Sequence, residues 1–116
     1  MHIDLQSHGF ALSDALKQHA IRRLGFSLAH YQGHIRKVSM RLSDANGPRH
    51  GVDKRCQVYV ALVGSADVVI EDTEADLYIA IDRAAGRAGR TVARRLSRLR
   101  GRRGQELPSA FTQLEE

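Results

Sequence analysis

The sequence predicts an α+β domain of two layers, in the order β-α-β-β-β-α. Three observations carry this. Three consecutive segments between Ile35 and Asp72 have the apolar pattern of strands joined by short links, which suggests an antiparallel meander. A strand and an amphipathic helix precede them, a crossover that sets the first strand parallel to a neighbour. A long helical pattern from Asp76 to Arg103 then carries a continuous apolar stripe. Both helices are expected to cover one face of a four-stranded mixed sheet.

Each element has its own warrant. His2 to Ser7 alternates, with Ile3 and Leu5 on one face, and His8-Gly9 breaks it. Ser13 is a good N-cap, and Asp14 follows at the positive end of the helix dipole. Leu12, Leu16, Ala20, Leu24 and Leu28 form the stripe of the first helix, widened by Ala15 and Ile21. Gly25 weakens this helix by up to about 1 kcal/mol relative to Ala, and Gly33 ends the segment. Ile35 to Ser43 places Val38, Met40 and Leu42 inward. Asp44 to Gly51 has the turn chemistry of a loop. Lys54 to Val63 turns Cys56, Val58, Val60 and Leu62 inward and Arg55, Gln57 and Tyr59 outward. Gly64-Ser65 makes a tight turn into the strand Asp67 to Asp72. Thr73 is the expected N-cap of the last helix, with Glu74 and Asp76 in its first turn and a capping-box spacing from Thr73 to Asp76.

At 116 residues the chain is one domain with a thin core. The domain is expected over residues 1–103. Residues 104–116, with Pro108, Glu106, Glu115 and Glu116, are expected to be a flexible tail. The formal charge of +5 points to an anionic partner, nucleic acid or an acidic surface. Cys56 is the single cysteine, so no intrachain disulfide framework is expected. No secretory leader pattern opens the chain, and no apolar run reaches the roughly 20 residues that span a bilayer. A soluble, intracellular protein without a membrane partner is expected.

The last helix carries the strongest functional signal. Opposite its apolar stripe (Leu77, Ile81, Ala84, Ala88, Val92, Leu96, Leu99) runs a second stripe of Arg83, Arg87, Arg90, Arg94 and Arg98. At about 100° per residue the two stripe centres lie about 140° apart. Nine of the 18 Lys and Arg residues fall between Arg83 and Arg103, and no acid does. A face kept only for solubility usually mixes signs, with acid and base four apart. A row of guanidinium groups without acids favours RNA phosphates, which Arg grips in bidentate fashion. Arg100-Gly101-Arg102-Arg103-Gly104 resembles an Arg/Gly-rich binding segment.

Other chemistry is weakly supported. Gly86-Arg87-Ala88-Gly89 has G-x-x-G spacing but falls inside a helical pattern, where glycines serve close packing or a bend. His30 and His34 lack a third ligand nearby, so no metal is expected. Cys56, inward on a strand, reads as a buried structural thiol. Glu71, Asp72, Glu74 and Asp76 read as helix-capping acids. No nucleotide-loop, nucleophile-elbow or zinc-protease pattern occurs. Neither catalysis, a cofactor nor a small-molecule substrate is expected.

The strand order, the loop and Asp76-Leu77-Tyr78-Ile79-Ala80-Ile81-Asp82 together resemble the ribosome hibernation promoting factor family, also called the ribosome-associated inhibitor A or sigma-54 modulation family. The D-x-Y-x-A-I-D signature is the most specific piece. The first strand, the Ser13-Asp14-Ala15-Leu16 helix start and Val68 to Asp72 fit as well, so the resemblance covers about residues 1 to 100. The chain is similar to the short form of the family. An Arg-rich last helix bearing Gly86 and Gly89, where the family is usually Lys-rich, marks a divergent branch. The resemblance implies a fold like a double-stranded-RNA-binding domain and residence in the cytoplasm. It also implies binding to ribosomal RNA of the small ribosomal subunit near the decoding region, silencing translation in stress or stationary phase by occupancy without catalysis.

The residues expected to hold RNA are Arg83, Arg87, Arg90, Arg94 and Arg98, helped by Arg95, Lys54, Arg55, Arg22 and Arg23. Two other readings fit the same surface: a general module for structured RNA, and a basic protein-interaction domain for an acidic partner.

Overall fold

The computed structural model describes residues 2–44 and 53–106, with side chains as far as Leu99. Beyond Asp44 the expected loop to Gly51 lies outside the described residues, as do residues 107–116 of the expected tail. The elements are β1 (Ile3–His8), α1 (Asp14–Leu28), a short 3-10 helix (Ala29–His34), β2 (Ile35–Asp44), β3 (Lys54–Leu62), β4 (Val68–Glu74) and α2 (Leu77–Glu106). They form a four-stranded sheet in the order β1-β2-β3-β4. β1 pairs parallel to β2, with Ile3 opposite Val38 and Leu5 opposite Met40. The other two pairings are antiparallel. This is the mixed sheet expected from the crossover and the meander.

Alternation decides which residues go inward. Val38, Met40, Leu42, Cys56, Val58, Val60, Leu62, Val68 and Ile70 are buried under both helices. From α1 the core takes Leu16, Ala20, Leu24 and Leu28. Ala15 and Ile21, expected to widen that stripe, are exposed, because each lies to one side of the row that meets the sheet. α2 contributes Ala80, Ile81, Ala84, Ala85, Ala88, Val92 and Leu96. Its alanines bring the helix axis close to its neighbours, and burying each Val, Ile or Leu contributes about 1.5–3 kcal/mol.

The helix starts follow local chemistry. Ser13 caps α1 as expected, its Oγ accepting from the Leu16 N–H at 3.2 Å. Thr73 does not cap α2. β4 runs on to Glu74, and Thr73 pairs with Arg55 inside the sheet. Asp76 takes the role instead: its Oδ1 accepts from the Tyr78 N–H at 2.8 Å, and its carbonyl accepts from Ala80 at 3.0 Å. The sheet ladder offers Thr73 a backbone partner that a cap could not match, and the short Asp side chain serves the helix two residues later than Glu74. Gly64, in the β3–β4 turn, has φ of 72°, which suits a residue without Cβ. Gly33 does not stop the chain from coiling, since the 3-10 helix continues to His34. At the end of α2, residues 104–106 are still helical.

Candidate nucleic-acid interface

α1 and α2 lie side by side on the sheet and run in the same direction. Near their starts His19 meets Asp82 and Tyr78. Further along both, Ser27 meets Gly89, where an added Cβ would stand 2.8 Å from the Ser27 carbonyl oxygen. At about 100° per residue, Leu28 and Ala88 turn from this crossing into the core. Phe26 and Arg90, on the other sides of Ser27 and Gly89, therefore both turn to solvent. This outer surface of the helix layer is the candidate interface.

The signature at the start of α2 holds the layer together. Asp76 caps the helix. Tyr78 packs edge-on against His19 at a centroid distance of 4.9 Å. Ala80 and Ile81 are fully buried. Asp82 Oδ1 accepts from His19 Nε2 at 2.7 Å and lies 3.2 Å from Arg23 Nε. Asp76 of D-x-Y-x-A-I-D thus starts α2, and the other signature residues fix it against α1 or the sheet. Sequence reasoning missed His19 and the role of Asp82. A His on α1 and an acid on α2 have no shared period, so no local signal joins them.

The structure divides the Arg row in two. Arg83, Arg87 and Arg95 lean over β4, which is an edge strand. Arg83 Nε lies 3.4 Å from Glu74 Oε2. Arg87 Nη1 donates to the Glu71 carbonyl at 2.8 Å and lies 3.8 Å from Asp72 Oδ2. Arg95 Nη1 donates to the carbonyls of Ala66 at 2.7 Å and Asp67 at 3.2 Å. An edge strand presents unpaired backbone groups, and Arg87 satisfies one of them, while Arg95 satisfies two carbonyls just before the strand begins. The acids of β4, read from sequence as helix caps, thus serve partly as partners of this half-row.

Arg90, Arg94 and Arg98 are different. All three are exposed, and among the described residues no ion pair includes them. Arg94 Nη2 makes one intrahelical bond, to Thr91 Oγ1 at 3.3 Å. Arg22 is exposed on α1 of the same layer. Arg23 is half-buried and held to Asp82.

Two expected residues stand apart from this surface. Arg55 lies on the sheet face away from the helices, with its Nε 3.3 Å from Glu71 Oε2. Lys54 Nζ is held at 3.0 Å from Asp44 Oδ1 and 3.2 Å from Asp53 Oδ1. Asp53 is 5% exposed, and the hydrogen bond to Asp44 does most to hold the Lys54 ammonium above its usual pKa. This cluster clamps the ends of β2 and β3. On the same open face the Tyr59 hydroxyl donates to Asp67, which raises its pKa. Burial pushes the Cys56 thiol up to about 12, the behaviour of a structural residue.

Among the described residues no helix is long and apolar enough to cross a membrane. The Thermus thermophilus Protein Y N-terminal domain superposes with a TM-score of 0.68 at 29% identity, covering 81% of this chain and 98% of that one. A ribosomal subunit interface protein from Coxiella burnetii shares the fold, with a TM-score of 0.65 at 18% identity over 81% of this chain and 96% of that one. Among curated proteins none matches significantly. The family model described as sigma 54 modulation protein / S30EA ribosomal protein matches residues 3–100, and the chain belongs to that family.

Proposed function

We propose that this protein is a non-catalytic, cytoplasmic ribosome-binding factor. It occupies ribosomal RNA near the decoding region of the small subunit and silences translation in stress or stationary phase. The observation that carries the RNA contact is the open half of the Arg row. Arg90, Arg94 and Arg98 advance along one helix face, exposed and without acid partners among the described residues. Like charges at this spacing repel, so the row is a cost to the isolated helix that a phosphate backbone would offset. Family membership and the likeness to a protein named for the ribosomal subunit interface support the ribosome as the source of that backbone.

Occupancy suffices as a mechanism. A rigid helix face held to RNA phosphates excludes other ligands from the same groove without any bond being made or broken. Arg22 would extend the contact onto α1, while Arg83, Arg87 and Arg95 would shape its border from β4.

Cosedimentation tests the reading. The protein should travel with the small subunit at low salt, leave at high salt, and inhibit a reconstituted translation reaction. Arg90→Glu/Arg94→Glu should stay at the top of the gradient. Wild-type protein at the top under all salt conditions would remove the ribosome from the proposal. Crosslinking to many RNAs without ribosomal enrichment would favour a general RNA-binding module.

A further inference from the structure

Phe26 is 76% exposed, the largest exposure of any big apolar side chain among the described residues. It stands at the α1–α2 crossing, one residue before Ser27, on the solvent side. Arg22 and Arg23 precede it by four and three residues, the spacings that place side chains beside one another on a helix. Across the crossing stands Arg90, whose Nη1 lies back toward Gly86: a Cβ added there would meet that atom at 3.4 Å and no other neighbour. Gly86, one turn before Gly89, thus has no neighbour within 4 Å of that position other than this guanidinium.

The ring is not part of an apolar patch. Ile21, five residues away on α1, points about 140° around the helix from it. Ile79 lies ten residues before Gly89 on α2, about 15 Å along the axis from the crossing. An isolated aromatic ring among guanidinium groups suits a base: the ring stacks on its face, and the cations take the flanking phosphates. Continuous duplex offers phosphates but keeps its base faces stacked on one another.

We infer that Phe26 is a stacking platform for an unpaired base, so that RNA bound across the α1–α2 crossing is single-stranded or bulged there. The inference rests on the RNA reading above and adds the class of RNA recognised.

Two RNAs of equal length test it, one a blunt duplex and one carrying an unpaired bulge. Phe26→Ala should lower affinity for the bulged RNA about tenfold, the order of one lost base–aromatic stack, and leave the duplex unchanged. Its melting temperature should match wild type, since the ring is exposed. The chain has no Trp, so Phe26→Trp supplies a unique fluorophore that should retain affinity and be quenched by the bulged RNA but not the duplex. Equal loss on both RNAs, no loss on either, or an unquenched Trp would overturn the stacking role. So would weaker binding to the small subunit with both RNAs unaffected, which would assign the ring to a protein contact. Arg90→Glu/Arg94→Glu should weaken both RNAs; if it weakens neither, the RNA reading itself falls, a failure separate from that of Phe26.

Discussion

Gly89 of α2 faces Ser27 of α1 at a distance that leaves no room for a methyl group. A Cβ at Gly89 would stand 2.8 Å from the Ser27 carbonyl oxygen and 3.2 Å from its Cβ. The obstacle is largely backbone, so the helices would have to move apart. Gly89→Ala should therefore destabilise the protein by about 1–3 kcal/mol, despite a gain of about 1 kcal/mol in helix propensity. Gly86→Ala meets one flexible guanidinium and should stabilise by up to about 1 kcal/mol. Denaturant melts of the two variants should move in opposite directions. A rise in both midpoints would mean that the crossing does not depend on close approach.

The sequence carries little of this contrast. Both glycines sit in one helical pattern, and their spacing says only that some packing or bending role is available. The alternations in β2 and β3 identified the buried faces because a strand's inward set is fixed by parity alone. Contacts between elements were less legible. Nothing local says that Asp82 will meet His19, or that Arg87 will find the Glu71 carbonyl while Arg90 finds no acid among the described residues. Thr73 misled for a related reason: its capping chemistry was sound, but pairing with β3 carried the strand past it. The exposure of Phe26 left a trace, since it falls off the Leu16-Ala20-Leu24-Leu28 stripe.

The divided Arg row predicts two separable phenotypes. Arg87→Ala and Arg95→Ala should each cost about 0.5–1 kcal/mol of stability, because carbonyls of β4 and of the turn before it lose partners at an exposed site. They should leave the salt dependence of RNA binding nearly unchanged. Arg90→Ala, Arg94→Ala and Arg98→Ala should not lower the melting temperature, and relief of like-charge repulsion should raise it slightly; each should lower the log–log salt slope by about 0.7–0.9, according to whether single strand or duplex is bound. Titrations across salt concentrations check the second set. A slope that falls as much for Arg87→Ala as for Arg94→Ala would remove the division.

Asp82 joins the two roles. Neutralising it frees Arg23 from its ion pair and leaves His19 only an uncharged amide oxygen as acceptor, so Asp82→Asn should destabilise by about 0.5–1 kcal/mol, given that the carboxylate is 44% exposed. It also deletes a negative charge beside the basic face, so affinity for RNA at low salt should rise by about two- to threefold. Stability and affinity moving together in either direction would contradict this placement.

Cys56 offers a test of the core. Its thiol is pushed from 9.0 to about 12, chiefly by burial and secondarily by the charge of Asp72. A disulfide reagent at pH 8 should leave native protein unmodified and react at once in denaturant. The pH dependence has a definite sign. As pH rises past 9 the unfolded thiol loses its proton while the folded one keeps it, so the unfolded state binds fewer protons and stability falls. The loss grows from pH 9 until the folded thiol ionises near 12. Lys54 and Tyr59 are also raised, the first chiefly by its bond to Asp44 and the second chiefly by its bond to Asp67, so both add to the same alkaline loss. Cys56→Ala should flatten the alkaline limb of a stability–pH curve while lowering stability at neutral pH through the cavity it leaves. An unchanged alkaline limb in that variant would mean that Lys54 and Tyr59 alone account for it.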